Sequence, residues 1–395
     1  MTYEYDELGR VVNRAINGVS ETTAFDPLGR PTAVTNALGT FYYTFDGSSS
    51  RLLAMTYPNG QGSIYSYFDN VGDRRLQQIT HAKGPIPISQ FGYAYNAAGN
   101  IISWSQQTGA DPVKSYTFGY DAADQLLSAT LTQGIATLKT YGYTYDKIAN
   151  RTAETIDGVT RQFSYNALNE LTASSTGPAA NATHEWDAAN RITAIVQGAN
   201  RSEFSYDGLS RRVHIVEKQN GVVTSAKRFV WCGTGMCEEW DATGANVTRR
   251  FYPQGVQDAG VPFFYAHDHL GSIQALTDAA GNVRAGYSYD PYGRRVKSNG
   301  DKEANFGFTG HYHHEPSDLD LAPYRYYDAG MGRWLSRDPL GETPIMGNHR
   351  DDRNDALPLE PVMHFGGSAG GSTEGAKTSQ PRTTPWEPRR KTKKP

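Results

Sequence analysis

No run of 18 apolar residues occurs in the 395-residue chain, so nothing in it reads as a transmembrane helix. The amino terminus, MTYEYDELGR, carries acidic residues where a secretory leader carries basic ones, and no apolar segment follows. No signal peptide is visible there. Only two cysteines are present, Cys232 and Cys237, too few for a disulfide framework. The intervening GTGM is longer than a two-residue metal knuckle, and the pair reads as free thiols. The net charge of -3 supplies no basic excess for a nucleic-acid partner, and no glycine-rich phosphate loop is found.

What is abundant points to β structure. Glycine (41), tyrosine (25) and phenylalanine (15) are used poorly by helices and well by turns and aromatic-faced strands. Every tyrosine stands at or before Tyr327, whereas prolines are dense in 342–395, which marks a boundary. The aromatic that precedes an Asp or Asn recurs at Tyr5, Phe25, Phe45, Phe68, Tyr95, Tyr120, Tyr145, Tyr165, Trp186 and Tyr206. The spacing is 20 to 27 residues, which fits two short strands and two turns. The unit is therefore a hairpin. In HEWDAANRITAI the first strand ends at Asp187, residues 187–190 turn, and Arg191 to Ile195 run back. Asp187 accepts backbone N–H bonds in an Asx-type turn, and Asn190 tolerates a left-handed conformation. Gly9, Gly29, Gly72 and Gly99 fill the same place elsewhere, where a positive φ is expected. Aromatics two apart, such as Tyr143 and Tyr145, share one side of their strand and stack into a band. Arg30, Arg151, Arg191 and Arg211 follow the turns, placed to cover neighbouring rings or pair with the turn acids.

The expected fold is all-β: tandem hairpins joined edge to edge in one extended, curved antiparallel sheet. The divisions are a hairpin array at 1–225, a second β region at 226–341, and a tail at 342–395. The tail has 9 basic and 7 acidic residues, is rich in Gly, Ser, Thr and Pro, and is expected to be disordered. The second region continues with FFYAHDHLGSIQALTDAAGNV (263–283), YSYDPYGRRV (287–296) and a dense aromatic segment at 306–341, with one short helix expected in 311–322.

These units resemble the Rhs or YD-repeat family. YDPYGR (289–294), FTGH (308–311), YRYYDAGMGRW (324–334) and LSRDPLG (335–341) resemble its repeat-associated core, and the likeness covers residues 1–341. The resemblance implies repeats wound into a hollow spiral shell, a core that closes it, and a variable carboxyl-terminal polypeptide, often a toxin, beyond the core. It implies a partner: that polypeptide, or an upstream shell segment pairing with the first strand. A secreted or cell-surface location follows from the same likeness. Some members cleave themselves with two Asp residues in successive DPxG motifs. Here the first motif is present, with Arg337 and Asp338 as the participants, and the second is absent; DDRND, with Asp351, Asp352 and Asp355, does not replace it. A lone carboxylate cannot act as both general base and general acid.

The leading expectation is a non-enzymatic shell segment that encloses or presents a carboxyl-terminal effector. The alternatives are a carbohydrate-binding adhesin with exposed tyrosine rows, and a self-cleaving aspartyl peptidase using Asp338. Burial of Tyr143, Tyr165 and Phe204 separates the first from the second. His267 and His269 share a strand face, as do His311 and His313. They could hold zinc if the two strands faced one another, but the reading is packing around turns, with no metal or cofactor.

Overall fold

The computed structural model describes residues 1–166, 171–174 and 182–336. Among these, 16 strands form one antiparallel sheet in strict chain order, from Thr2–Tyr5 to Leu171–Ser174. A further 12 form a second sheet, from Ala182–Trp186 to Arg295–Gly300. Each strand hydrogen-bonds to its sequence neighbours, as a hairpin repeat demands. The sheet expected to be single is thus described in two open parts, because no described strand bridges Ser174 and Ala182. The expected disordered tail lies outside the described residues.

The turn chemistry explains the repeat. Asp187 Oδ1 accepts the backbone N–H groups of Ala189 (2.9 Å) and Arg191 (3.0 Å), while its own N–H bonds to the Arg191 carbonyl at 3.0 Å. Asn190 sits at φ 59°, in the left-handed region. The same bonds recur at Asp6, Asp26, Asp121, Asp146, Asp207, Asp278 and Asp290. Gly9, Gly29 and Gly99 take positive φ as expected. Gly72 does not: Asp73 and Arg74 carry the positive φ instead, at 56° and 51°. That longer turn needs glycine for another reason, since a Cβ on Gly72 would lie 2.5 Å from the Phe68 Cβ.

Two features of the turn were not anticipated. The register slips by one residue at the aromatic in nearly every unit, for instance between Thr144 and Tyr145 and between Ser205 and Tyr206. A bulge at each turn bends and twists the strands, and its repetition on one side curves the sheet. In addition, the tyrosine hydroxyl donates to the carbonyl at the start of the preceding strand. Tyr95 reaches Leu76 at 2.8 Å, Tyr120 reaches Ile101 at 2.7 Å, and Tyr145 reaches Leu126 at 2.8 Å. At Phe25 and Phe45, which lack the hydroxyl, a guanidinium covers the ring: Arg10 lies 4.5 Å from Phe25 and Arg30 4.8 Å from Phe45.

Alternate side chains face inward. In Gly39–Phe45, Phe41 and Tyr43 are buried and Tyr42 between them is exposed. The inner faces of the two sheets pack on each other: Phe264 joins Val34, Phe41 and Tyr57, and Tyr292 joins Trp104 and Tyr143. Tyr57 donates to the Tyr265 carbonyl at 3.1 Å and Gln254 donates to the Tyr43 hydroxyl at 2.7 Å, so the seam is also hydrogen-bonded. The segment at 306–336 forms a third sheet of four short strands, Tyr312–His314, Leu319–Leu321, Tyr326–Asp328 and Arg333–Trp334, packed on the second sheet's core. The short helix expected there is one 3-10 turn, Glu315–Ser317.

Candidate functional site around the carboxyl-terminal strands

The last described strands sit where both long sheets meet. Three guanidinium groups converge on the Gly330 carbonyl: Arg294 at 2.6 Å, Arg161 at 3.2 Å and Arg151 at 3.4 Å. Arg294, from the YDPYGR turn of the second sheet, also pairs with Asp290 at 2.8 Å and with Glu154 of the first sheet at 2.5 Å. Burial opposes the charge on Arg294, but Asp290 and Glu154 outweigh it and hold the guanidinium protonated. Tyr145 and Tyr292 meet hydroxyl to hydroxyl at 2.6 Å, and the Tyr327 hydroxyl donates to the Tyr292 carbonyl at 2.8 Å. One knot thus ties the first sheet, the second sheet and the terminal strands together. Burial raises the carboxyls of Asp320 and Asp328 within the same region.

The self-cleavage pair, Arg337 and Asp338, lies outside the described residues, as do Asp351, Asp352 and Asp355. The hydrogen bonds do not bring the histidine rings together on one centre. His81 Nε2 bonds the His267 carbonyl at 2.8 Å, and His269 Nδ1 lies 3.1 Å from the Tyr93 hydroxyl. His311 pairs with Thr309 at 2.6 Å, His313 with Asp320 at 3.1 Å and His314 with Glu217 at 2.8 Å. Among the described residues no group of three or more His, Cys, Asp or Glu side chains is placed to hold a metal ion. No helix among them is long and apolar enough to cross a membrane.

Cys232 and Cys237, read as free thiols, are joined in a disulfide. They flank the tight turn between Val222–Cys232 and Gly235–Trp240, and a bulge after Val230 brings the Cα atoms to 5.9 Å, a bridging distance that sequence spacing did not reveal.

The aromatic band faces inward. Tyr143 is 3% exposed and Phe204 4%, and Tyr165 is half-buried with its hydroxyl on the Arg151 carbonyl at 2.8 Å. Arg30, Arg191 and Arg211 all pair with their turn acids, at 2.7, 2.6 and 2.7 Å. Arg151 instead points inward, its Cζ 4.5 Å from the Tyr292 ring centre. Sequence reasoning missed the Glu154–Arg294–Gly330 knot. The available signal was Arg151 itself, which stands where Ile101, Leu126 and Ile192 fill the same place in other repeats.

The comparisons agree with this geometry. The family described as Teneurin YD-shell matches residues 253–353, and RHS Repeat matches residues 25–61. Double-stranded DNA deaminase toxin A of Burkholderia cenocepacia is 25% identical over 386 residues, covering 86% of this chain and 24% of that protein. The tRNA nuclease WapA of Bacillus subtilis is 26% identical over 172 residues, covering 40% of this chain and 7% of its own length. Among solved structures, the TcdB2-TccC3-TEV crystal structure matches with a TM-score of 0.70 and 18% identity, over 86% of this chain and 20% of that one. The chain therefore spans a quarter or less of the length of these relatives, and the likeness to the solved structure is one of fold. The repeated turns and the matched repeat and shell models make the chain similar to the Rhs/YD-repeat toxin-shell family over residues 25–61 and 253–353, and the solved structure shares its fold.

Proposed function

We propose that this chain is a non-enzymatic segment of a protein shell that encloses or presents a polypeptide attached beyond its core. The observation that carries the reading is the inward orientation of the aromatic band on two open, bulge-curved sheets. Tyr143 and Phe204 are buried, so these rings offer no adhesive strip to a glycan. Two cavities among the described residues hold about 20 Å³ each, room for a single water. The enclosed space is then built by further strands added at the open edges. The first strand, Thr2–Tyr5, is exposed at all four residues and offers such an edge. The partners are an effector polypeptide and additional YD-repeat strands, and the setting is outside the cell or at its surface.

A protease-sensitive reporter joined after Pro395 tests the reading, with a YD-repeat shell segment co-expressed to pair with the first strand. The reporter should be digested at least about tenfold more slowly than the same reporter on an unrelated carrier. Equal digestion would sink the proposal. The absence of catalysis is tested by the intact mass of the purified chain: a break near Leu340 that Asp338→Asn abolishes would replace this reading with self-processing.

A further inference from the structure

At the turn between Val222–Cys232 and Gly235–Trp240 the repeat is built differently. Trp231 still plays the part of the tyrosine, donating its indole N–H to the Arg212 carbonyl at 2.6 Å as Tyr206 donates to that of Ile192 at 2.5 Å. The residue after it, which in most units is the turn acid, is Cys232. It is bonded to Cys237. A covalent bridge thus closes this turn, where in the neighbouring unit the Asp207 carboxylate accepts the N–H groups of Leu209 and Arg211.

The bridge ends on an irregular residue. Val230 pairs with Glu238 and Trp231 with Met236, so Cys237 is the extra residue of the bulge. A bulge decides which way the residues after it face, since one step of register turns a strand side chain to the other side of its sheet. The next residue is Glu238, 1% exposed, and its carboxylate is a contact of the seam. It accepts the Asn17 side-chain N–H of the first sheet at 2.7 Å and the Trp240 indole N–H at 3.0 Å, with Arg250 Nε at 3.2 Å. Cys237 itself lines a cavity of about 20 Å³ together with Ile16 and Val19 of the first sheet and Phe251 and Tyr252 of the second. Ile16, Asn17 and Val19 form the tip that joins Val11–Ile16 to Val19–Phe25. The disulfide therefore lies directly behind the place where this leading hairpin docks.

We infer that Cys232–Cys237 is a thiol–disulfide exchange site whose substrate is a dithiol, and that its redox state governs the hold of the leading hairpin on the second sheet. Cys232 is half-buried and borders the exposed Gly233, Thr234 and Gly235, whereas Cys237 is buried, so Cys232 Sγ is the sulfur a reagent reaches. A thiolate of the dithiol bonds to Cys232 Sγ, the S–S bond breaks, and Cys237 Sγ leaves with the electron pair and takes up a proton. The reagent's second thiol gives up its proton and displaces Cys232 Sγ, which is protonated in turn. Two electrons and two protons pass to the protein, and the dithiol departs as its own disulfide. Without the bridge the bulge loses its tether, and Glu238 loses the fixed position from which it holds Asn17.

The probe is dithiothreitol, applied to the folded full chain and followed by hydrogen exchange and by iodoacetamide labelling in denaturant. Both cysteines should take the label after treatment and neither before it. Exchange should become at least about tenfold faster in Val11–Ile16, Val19–Phe25 and Gly235–Trp240, with Ala136–Tyr145 unchanged. The inference is overturned if the treated chain takes no label, if the reduced chain exchanges as before in the leading hairpin, or if Ala136–Tyr145 quickens equally. Asn17→Ala reads the route through Glu238: in the oxidised chain it should speed exchange of the same hairpin. Reduction should then add less than it adds to the unsubstituted chain, because both changes act on one contact. Increments that simply add would overturn the route and the inference with it. The double variant Cys232→Ser with Cys237→Ser should exchange like the reduced chain and ignore dithiothreitol; a response that survives there would assign the effect elsewhere.

Discussion

Asp6 and Asp268 hold the same place in the repeat and carry different burdens. The Asp6 turn is open to solvent, and its carboxyl is lowered chiefly by the Arg10 side chain. Asp268 is buried and accepts the N–H groups of Leu270 and Ser272 and the Gln274 amide, at 2.9, 2.9 and 2.8 Å. Burial pushes its carboxyl up to about 6. Removing that acceptor strands three buried donors, so Asp268→Ala is expected to cost on the order of 3 kcal/mol or more, measured by urea unfolding. Asp6→Ala should shift the midpoint far less; equal shifts would contradict the account. Burial also holds His267 and His269 down to about 3 and His81 and His311 to about 4. These imidazoles are neutral when folded and titrate near 6.5 when unfolded, so their contribution is complete above that pH and is lost as pH falls toward 4. Asp268, raised instead, gains on protonation, but only below about 6. Between pH 7.5 and pH 6 the histidines dominate, and the urea midpoint should fall; a rise across that window would reverse the assignment.

At the scale of the element, each hairpin is fixed by its Asx turn, its bulge and its tyrosine hydroxyl. The hydroxyl crosses to the preceding strand and so stabilises the join between strands rather than the strand itself. Tyr120→Phe removes one such bond and should cost about 1 kcal/mol. Tyr145→Phe also breaks the contact with Tyr292 and should cost more, because that bond links the two sheets. Thermal or urea unfolding of the pair gives the comparison, and an equal loss would mean that the Tyr292 contact contributes nothing. The turn residues, strand alternation and hairpin period were legible in the sequence, since each depends on neighbours within about 20 residues. The bulge was not, because a one-residue register slip leaves the aromatic and acid spacing unchanged.

At the scale of the molecule, stability depends on the seam between the sheets, and Gly255 of the second sheet lies against Leu38 of the first. A Cβ there would lie 2.1 Å from the Phe263 carbonyl and 3.0 Å from Leu38. Gly255→Ala should therefore raise hydrogen exchange together in Val261–His267 and in Gly39–Phe45, strands on opposite sides of the seam. Faster exchange confined to the first would show that the sheets hold independently. The knot of Glu154, Arg294 and Gly330 belongs to the same scale, joining residues as far as 176 positions apart in sequence, by their numbering.

The sequence by itself determined what is local: an all-β chain of tandem hairpins, and turns built on an acid and a left-handed residue with an arginine after many of them. Each follows from the conformational limits of a few consecutive residues. The tertiary structure decided which face of the aromatic band is buried, that Cys232 and Cys237 meet, and where the second sheet docks. Those outcomes depend on strand register and on contacts between distant units, and no short window of sequence carries that information.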